Sequence, residues 1–470
     1  MFLMNIVDCL YSLNKWWASE KVDNAFLYKR IRNEFSQIVK CLGDDNIITL
    51  TGPRGSGKTT LLYQTVDYLI KMKTPSSRII MFSGDEPALF IDSAGIFDIL
   101  KAYTAAILQE EIDELSSFIY VIIDEINRIK DWRSMFKKRF HAGMKIKFII
   151  TAPTLSLLFP QVSDELPVGF IHIPINPFTP QQFIEFHCSY KNNDFDYITY
   201  KSLLPDCQLF DDPAQYVDSI FTNINHFASF RREKTAMLGE YLLAGGYPFY
   251  FEAKDLTSWQ HRLNSEIIDR SLYSDILSNN NIKSPENLKK LLFLIAASNG
   301  HEQAYANIGK IIHLNTVTII NHLNMLFSNR FITICENYSG QNRGVSRKNK
   351  RIYLRDCGIK NALIRNTEIP NDEFEREIKS CCVTLAGDYT EKNGGNLYFW
   401  RNNQSEVDIV LEKDNSLLPI SIIYKNDISR RDLRGIKSFR RNTFSQKALV
   451  ITKDTLAADD GIYYLPFWLI

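Results

Sequence analysis

The chain contains the run Thr51-Gly52-Pro53-Arg54-Gly55-Ser56-Gly57-Lys58-Thr59. It fits the pattern G-x-x-x-x-G-K-[ST], whose glycines allow the backbone to wrap a phosphate and aim its N–H groups inward. Asn46–Leu50 before it has the apolar composition of a buried strand, and Thr60–Ile70 after it has apolar residues at helical spacing. A helix that begins at this point adds its positive N-terminal end to the site. The strand–loop–helix context therefore predicts a phosphate-binding loop for a nucleotide.

The motif predicts contacts to ATP and to Mg²⁺. Lys58 is expected to reach the β- and γ-phosphates, and the Thr59 hydroxyl is expected to ligate Mg²⁺. We expect the nucleotide to be bound by the loop and the residue after it: Gly52, Pro53, Arg54, Gly55, Ser56, Gly57, Lys58, Thr59 and Thr60. The alternative is a chance glycine-rich turn, which would not explain a strand before the motif and a helix after it.

A second motif follows an apolar run over residues 118–123, which is typical of a central strand buried on both faces of a parallel sheet. Asp124 and Glu125 come directly after it, at the sheet edge where open α/β folds place ligands. We expect Asp124 to hold Mg²⁺ through water, and Glu125 to orient or deprotonate the attacking water as the catalytic residue beside Lys58. Thr151, at the end of a strand predicted over 145–151, is expected to sense the γ-phosphate. The alternation of strands and helices predicts an α/β fold with a parallel sheet.

Length and composition set limits on the class of protein. A chain of 470 residues suggests three or four domains. Lys and Arg number 55 against 54 Asp and Glu, so any nucleic-acid surface must be local. The 8 cysteines form no C-x-x-C pair, which favours reduced thiols over structural zinc or disulfides. No run approaches the ~18 apolar residues of a membrane span, and the start of the chain lacks a signal-peptide layout. We therefore expect a cytoplasmic protein with no membrane partner.

The ordered motifs resemble a group of AAA-type ATPases related to the signal-transducing STAND ATPases. Beyond the phosphate loop, the resemblance rests on Phe82–Pro87, Asp124–Asn127 with Trp132, Pro177–Phe183, and Gly245–Pro248. It covers nearly the whole chain. The resemblance implies an AAA-like core with a helical lid, a winged helix and a C-terminal restriction-endonuclease-like domain.

The chain departs from the family's pattern in two places. The serine-rich stretch that follows the sensor strand in relatives is here Thr151-Ala152-Pro153-Thr154, of which only the threonines keep a hydroxyl. Before the segment that begins at Pro177, relatives usually carry a Gly-Arg pair, and this chain has Val168 and Gly169. If that arginine contacts phosphate in relatives, hydrolysis here is expected to be slow, and the source of any arginine finger stays open. Arg231 or Arg232 is a candidate substitute, although a solvated basic surface explains these two residues more simply.

The pattern divides the chain into four regions. They are an AAA-like phosphate-loop core with an N-terminal helical segment (1–184), a helical lid (185–280), a winged helix (281–370) and a restriction-endonuclease-like domain (371–470). For the winged helix, helices are predicted over 288–297, 305–312 and 316–326, followed by hairpin strands at 331–335 and 351–354. Such a module either contacts DNA or serves as a structural hinge.

The predicted winged helix has a basic wing and an uncharged recognition helix. The wing offers cations for phosphate contacts: Arg343, Arg347, Lys348, Lys350 and Arg351. The recognition helix offers polar side chains but no arginine or lysine to read guanine: Asn315, Thr316, Thr318, Asn321 and His322.

The C-terminal region resembles the restriction-endonuclease-like fold. Such nucleases need an Asp on one strand, and a Glu and a Lys one residue apart on the next, around a metal. Asp408 matches the first position, whereas Ser421 and Ile423 occupy the other two. Lys425 is expected on the same strand face, without an acidic partner. We therefore predict an inactive nuclease fold that is kept for interaction or packing.

Together these patterns favour an ATP-binding and ATP-hydrolysing molecular switch that couples its nucleotide state to a protein partner, in signalling or defence. Two alternatives stay open. The first is a DNA-associated ATPase or regulator that acts through the basic wing. The second is an ATP-regulated nuclease, against which Ser421 and Ile423 argue. The sequence leaves the partner, the trigger and the oligomeric state open.

Overall fold

The computed structural model describes residues 2–28, 30–90, 95–130, 132–133, 136, 143–159, 167–191, 195–276, 284–340 and 350–470. The chain forms two compact units, Met1–Asn176 and Pro177–Ile470, which we call the first and second units. Each unit has its own buried apolar clusters.

The first unit is a parallel sheet with helices. Its helices are Phe2–Leu13 (α1), Trp16–Ser19 (α2), Phe35–Lys40 (α3), Lys58–Lys71 (α4), Ile96–Tyr103 (α5) and Leu155–Leu158 (α6). Its strands are Ile47–Thr51 (β1), Ile79–Ser83 (β2), Ile119–Asp124 (β3), Ile146–Ala152 (β4) and Phe170–Pro174 (β5). The strand order is β2-β3-β4-β1-β5, and every pairing is parallel.

Successive residues of the central strand β3 are buried on opposite faces of this sheet. Val121 and Ile123 belong to an apolar cluster that includes residues of α1 and α5. Ile122 belongs to another cluster, which includes residues of α4. A strand covered on both faces needs a continuous apolar run rather than alternation. The predicted α/β fold with a parallel sheet is confirmed.

Apolar residues recur at helical spacing over residues 29–39 and predict a helix there, but the helix is shorter in the structure. It begins only at Phe35, and residues 33–34 form a turn before it. The buried Arg32 in this segment extends its guanidinium to carbonyl groups elsewhere in the unit. These long-range contacts, rather than helical hydrogen bonds, hold the segment around Arg32 in place.

The second unit combines helices with a mixed sheet. Its helices are Pro180–Tyr190 (α7), Tyr197–Leu203 (α8), Pro213–Thr222 (α9), Ile224–Ala244 (α10), Leu256–Arg262 (α11), Pro285–Ala297 (α12), Tyr305–Ile312 (α13), Thr316–Ser328 (α14), Cys357–Ile364 (α15), Phe374–Asn393 (α16) and Arg434–Thr443 (α17). Its strands are Glu302–Gln303 (β6), Ile332–Asn337 (β7), Lys350–Leu354 (β8), Asn396–Arg401 (β9), Glu406–Lys413 (β10), Ser416–Ile423 (β11), Ala448–Thr452 (β12), Ala457–Asp459 (β13) and Ile462–Pro466 (β14).

The strands of the second unit form one sheet, in the order β13-β14-β12-β11-β10-β9-β7-β8-β6 within the described residues. The antiparallel hairpin β7–β8 joins the C-terminal strands through a short parallel pairing, in which Glu336 lies opposite Tyr398 and Asn337 opposite Phe399. One apolar cluster also extends from Phe178 to Leu469. The regions on either side of residue 370 therefore share a sheet, and the region before residue 280 shares their apolar cluster.

Candidate nucleotide site

The phosphate loop lies between β1 and α4, at the carboxyl end of a buried parallel strand. Gly57 precedes α4 with φ 99° and provides no side-chain acceptor for the first turn of the helix. The N–H groups of that turn have no acceptor within the helix, so they are suited to bind an anion. Gly52 is packed so closely that a Cβ there would lie 1.9 Å from the Ile175 carbonyl oxygen. The loop therefore requires glycine at both positions.

Lys58 is buried and its ammonium folds back over the loop. Nζ donates to the carbonyl oxygens of Gly52 at 2.8 Å and of Pro53 at 3.2 Å. A lysine ammonium has three donors, so one further N–H group remains for a phosphate oxygen. The other residues predicted to contact the nucleotide lie in the loop and in the first turn of α4. Among them, Ser56 is fully buried, and Arg54 and Thr60 are half-buried.

The two motifs meet at Asp124, the last residue of β3. The Thr59 hydroxyl donates to Asp124 Oδ2 at 2.6 Å, and the Thr151 hydroxyl donates to Oδ1 at 2.5 Å. Thr151 Oγ1 also accepts a hydrogen bond from the Glu125 N–H group at 2.9 Å. Thr151 is fully buried, and through these two hydrogen bonds its hydroxyl orients the acidic pair.

The electrostatic effect of Asp124 extends to the phosphate-loop helix. Burial raises the pKa of the Tyr63 phenol on α4, and the negative charge of Asp124 raises it further. Tyr63 therefore stays neutral at physiological pH. Its ring stacks on Phe26 with centroids 4.3 Å apart.

Glu125 has an unusual backbone conformation for a residue with a side chain. Its φ of 51° lies in the left-handed region, which costs a non-glycine residue about 1–2 kcal/mol. Gly84, just after β2, supports this conformation, because a Cβ on Gly84 would lie 2.4 Å from the Glu125 carbonyl oxygen. The Gly84 N–H group also donates to the Asp124 carbonyl at 2.9 Å. Gly84 is thus a positioning residue for the acidic pair, although in the sequence it looks like an ordinary turn glycine.

Arg32 is a second contributor that the sequence patterns do not reveal. Its guanidinium donates to the Ser56 carbonyl of the phosphate loop at 2.7 Å and to the Asn176 carbonyl at 2.8 Å. Glu34 holds the same guanidinium through two hydrogen bonds at 3.0 and 3.2 Å. Arg32 therefore stabilises the phosphate loop through the Ser56 carbonyl, from a segment outside both motifs. In the sequence Arg32 is only one of three basic residues in the run Lys29-Arg30-Ile31-Arg32, which does not distinguish it from its neighbours.

The residues present fit a magnesium–nucleotide complex. Mg²⁺ prefers oxygen ligands and retains several waters, and Thr59 and Asp124 present a hydroxyl and a carboxylate side by side. The close approach at Gly52 and the open first-turn amides of α4 fit a phosphate group. The geometry brings Lys58, Thr59, Asp124 and Glu125 to one edge of the sheet.

Asp408, the remaining nuclease-like acid, is held by neighbours in the second unit. Its Oδ1 lies 2.6 Å from Nζ of Lys379 on α16, and its Oδ2 accepts from the Ile422 N–H group at 2.8 Å. The antiparallel register of β10 and β11 places Asp408 beside Ser421. Ile423 packs into an apolar cluster with Val407 and Leu433.

The expectation for Lys425 is wrong. Strand β11 ends at Ile423, so Lys425 lies beyond the strand and not on its face. Its ammonium pairs with Asp432 at 2.7 Å, so it also has the acidic partner that we did not expect. A turn after the strand directs the side chain toward the segment that precedes α17.

Several candidate DNA contacts are engaged within the protein. Arg351 is buried, stacks on the Phe399 ring at 4.2 Å and pairs with Glu406 at 2.8 Å. Lys350 pairs with Glu336. His322 is buried in α14, where burial lowers the pKa of its imidazole. Arg343, Arg347 and Lys348 lie outside the described residues.

Comparison with known proteins assigns the first unit to a class. Residues 44–184 match the family model of an AAA domain. Residues 235–369 and 383–470 match models of two domains of unknown function, DUF8612 and DUF4143. Together with the loop geometry, the first match supports an AAA-type, nucleotide-binding ATPase core.

Two similar proteins are described only as uncharacterised. A Methanocaldococcus jannaschii protein is 24% identical over 442 residues, which are 90% of this chain and 83% of that protein. A Haemophilus influenzae protein is 21% identical over 334 residues, which are 70% of this chain and 72% of that protein. The chain is therefore similar to proteins of two distant organisms along most of its length.

Solved structures of AAA-type proteins align only loosely. AMPPCP-bound DnaA from Aquifex aeolicus aligns with a TM-score of 0.25 and 15% identity, over 62% of this chain and 85% of that chain. Hsp104 with ATPγS and FITC casein aligns with a TM-score of 0.25 and 20% identity, over 34% of this chain and 29% of that chain. Scores this low support no functional argument. Among the described residues, no helix is long and apolar enough to cross a membrane.

Proposed function

We propose that this chain is an ATP-binding and ATP-hydrolysing molecular switch that couples its nucleotide state to a protein partner, in a signalling or defence role. In this proposal residues 185–280 act as a lid, 281–370 as a winged helix and 371–470 as an inactive restriction-endonuclease-like domain. The observation that carries the proposal is the contact between Thr59 and Asp124, which joins the phosphate loop to the acidic end of β3.

The chain's own groups would first bind and orient the triphosphate. The first-turn amides of α4 and the remaining N–H group of Lys58 would donate to phosphate oxygens. Thr59 and Asp124 would hold Mg²⁺, which when bound neutralises charge on those oxygens. Arg32 keeps the loop in shape for this through its bond to the Ser56 carbonyl.

Glu125 would orient or deprotonate the attacking water. Its backbone is fixed by the hydrogen bond to Thr151 and by the close packing of Gly84, so its side chain starts from a defined position. Gly169, which replaces the arginine of relatives, has φ 89°. A side chain there would be strained, and the glycine brings no cation to the site. We therefore expect slow basal hydrolysis.

A protein partner is favoured by the exposed face of α14, the helix that would read DNA. This face carries the exposed apolar side chains Val317, Ile320 and Phe327 at helical spacing. The other exposed members of the helix are uncharged: Thr316, Asn321, Asn324 and Ser328. DNA binding depends on cations that neutralise phosphates, whereas an apolar stripe with a polar margin is suited to a protein surface.

The test is the ATP turnover of the purified full chain, alone and with generic duplex DNA across a salt series. We expect slow turnover that DNA does not change. DNA binding that falls steeply with salt, together with stimulated turnover, would support the DNA-associated alternative instead. Absence of any ATP binding would overturn the proposal itself.

A further inference from the structure

The second unit contains a cavity at the carboxyl ends of three parallel strands. Strands β11, β12 and β14 run parallel, with Ser421 opposite Val450 and Val450 opposite Tyr464. A cavity of about 430 Å³ is lined by the residues that directly follow these strands: Tyr424, Lys453, Asp454, Phe467 and Trp468. Open α/β sheets bind ligands at this edge, because several loops converge there.

The cavity has an excess of positive charge. Helix α10 contributes Arg231 and Arg232 to its wall, and Lys453 enters from the end of β12. Arg231 is paired with Asp454 at 2.6 Å, and Asp454 is the one acidic residue of the lining. In the described part of the chain, neither Arg232 nor Lys453 has a carboxylate within ion-pair distance. Two uncompensated cations on one concave surface attract an anion.

A buried donor in the same lining also lacks a partner. Trp468 is 7% exposed, and its indole Nε1–H group has no acceptor among the described residues. Buried polar groups are nearly always hydrogen-bonded in native proteins, so an orphaned one requires an explanation. Nε1 itself has almost no surface open to the cavity, so a bound acceptor group would supply the missing hydrogen bond after a rotation of the indole.

Aromatic side chains form the apolar part of the wall. Phe374 at the start of α16 and Tyr424 have ring centroids 5.3 Å apart, at an interplanar angle of 37°. Together with Trp468 they offer flat surfaces against which a planar ring can pack. The volume falls within the ~300–1,000 Å³ typical of small-molecule sites.

We propose that this cavity binds a small phosphorylated ligand with a planar ring, the chemical class of the nucleoside monophosphates. Arg232 and Lys453 would bind the phosphate, Trp468 would donate to an oxygen of the ligand, and Phe374 with Tyr424 would contact the ring. All of these residues belong to the second unit, so the site is chemically independent of the phosphate loop.

The experiment uses the full chain carrying Lys58→Ala, which removes the phosphate-loop contact. AMP, GMP, CMP, UMP and inorganic phosphate are titrated by calorimetry at low salt. We expect at least one nucleoside monophosphate to bind with a dissociation constant below about 1 mM, more tightly than phosphate alone. No binding by any of them up to about 10 mM would overturn the proposal.

Substitutions then assign the binding to this cavity. Arg232→Ala and Lys453→Ala should each weaken affinity about tenfold, because each removes a charge-assisted contact. Trp468→Phe keeps the ring but removes the donor, and should weaken affinity about fivefold. Arg441→Ala on α17, an exposed arginine outside the lining, is the matched control and should change nothing. Affinity that survives the double substitution of Arg232 and Lys453 would place the ligand elsewhere and refute the assignment. ATP binding by the chain with Lys58 intact would be unaffected by either result.

Discussion

The Thr59 hydroxyl donates a hydrogen bond to Oδ2 of Asp124 at 2.6 Å, although the two residues are 65 positions apart in the chain. Thr59 lies in the first turn of the phosphate-loop helix, and Asp124 ends the central strand β3. Parallel strands bring their carboxyl ends to the same edge of a sheet, so the topology itself produces this contact. It converts two short motifs into one site with a hydroxyl and a carboxylate at hydrogen-bonding distance.

Substitution of Lys58 by alanine should abolish ATP binding without unfolding the chain. The side chain holds only two carbonyl oxygens of its own loop, so its loss removes little packing. Calorimetric titration with ATP and circular dichroism measure the two effects. Lys71→Ala is the matched control, since Lys71 lies on the same helix in an exposed pair with Asp67. Tight ATP binding by a folded Lys58→Ala protein would refute the assignment of the loop.

Glu125→Gln should bind ATP normally but hydrolyse it about a hundredfold more slowly, because the amide cannot accept a proton from water. Single-turnover ATP hydrolysis measures the change, and Glu114→Gln, at an exposed position in the same unit, serves as the control. The variant should also accumulate whatever conformation ATP favours. An unchanged turnover number would move the catalytic role to another residue.

Arg32→Ala should lower both the stability of the first unit and its affinity for ATP. The guanidinium makes charge-assisted bonds to the buried Ser56 carbonyl and to the Asn176 carbonyl, and hydrogen bonds to charged groups contribute about 1.5–3 kcal/mol each. Arg32→Lys keeps the charge but lacks the planar fork, so it should restore only part of the loss. Thermal unfolding and ATP titration test this, and an ATP affinity equal to that of the wild type would show that Arg32 does not support the loop.

The C-terminal region should not cleave nucleic acid. Asp408 is paired with Lys379, and one carboxylate supplies too few oxygen ligands for tight binding of Mg²⁺ or Mn²⁺. Ser421 and Ile423 supply neither the second carboxylate nor the lysine that such a site uses. The purified chain is incubated with single-stranded DNA, duplex DNA and RNA, with either metal and with ATP. Cleavage that disappears in Asp408→Ala but persists in Lys58→Ala would restore the nuclease hypothesis.

The second unit should become more stable as the pH rises above 7, because the buried Lys234 then loses its proton. Burial lowers the pKa of its ammonium to about 7, and its Nζ contacts the Tyr200 hydroxyl and, at 3.3 Å, the main-chain oxygen of Ile470. Between pH 7 and the usual lysine pKa of about 10.4, the unfolded chain binds more protons than the folded chain, so the free energy of unfolding rises with pH. The rise from pH 7 to pH 9 should be about 2–3 kcal/mol.

The comparison variant for that prediction is Lys234→Met, which removes the titrating group and keeps the apolar stem. Denaturant unfolding at pH 7 and pH 9 should show a smaller rise for this variant than for the wild type. Burial raises the pKa of the neighbouring Tyr200 well above 10, so that phenol does not titrate in this range. An equal rise in both proteins would show that Lys234 remains protonated in the fold.

The local patterns of the sequence were sufficient for the class of the first unit. The phosphate loop, the apolar run that ends at Asp124 and the alternation of strands and helices were predictable, because backbone geometry and burial on both faces restrict residue types over short stretches. Helix Tyr305–Ile312 has the predicted bounds for the same reason.

The tertiary structure alone decided which side chains meet. Arg32 on the phosphate loop, Gly84 behind Glu125 and Lys379 beside Asp408 join segments far apart in the chain. A single contact of this kind imposes no periodicity on its neighbours, so no sequence pattern predicts it. The same reason explains why Lys425 was wrongly placed on a strand and why the shared sheet across residue 370 was not foreseen. The sequence by itself determined the motifs and their chemistry; the packing of distant segments determined their partners and the cavity at the ends of β11, β12 and β14.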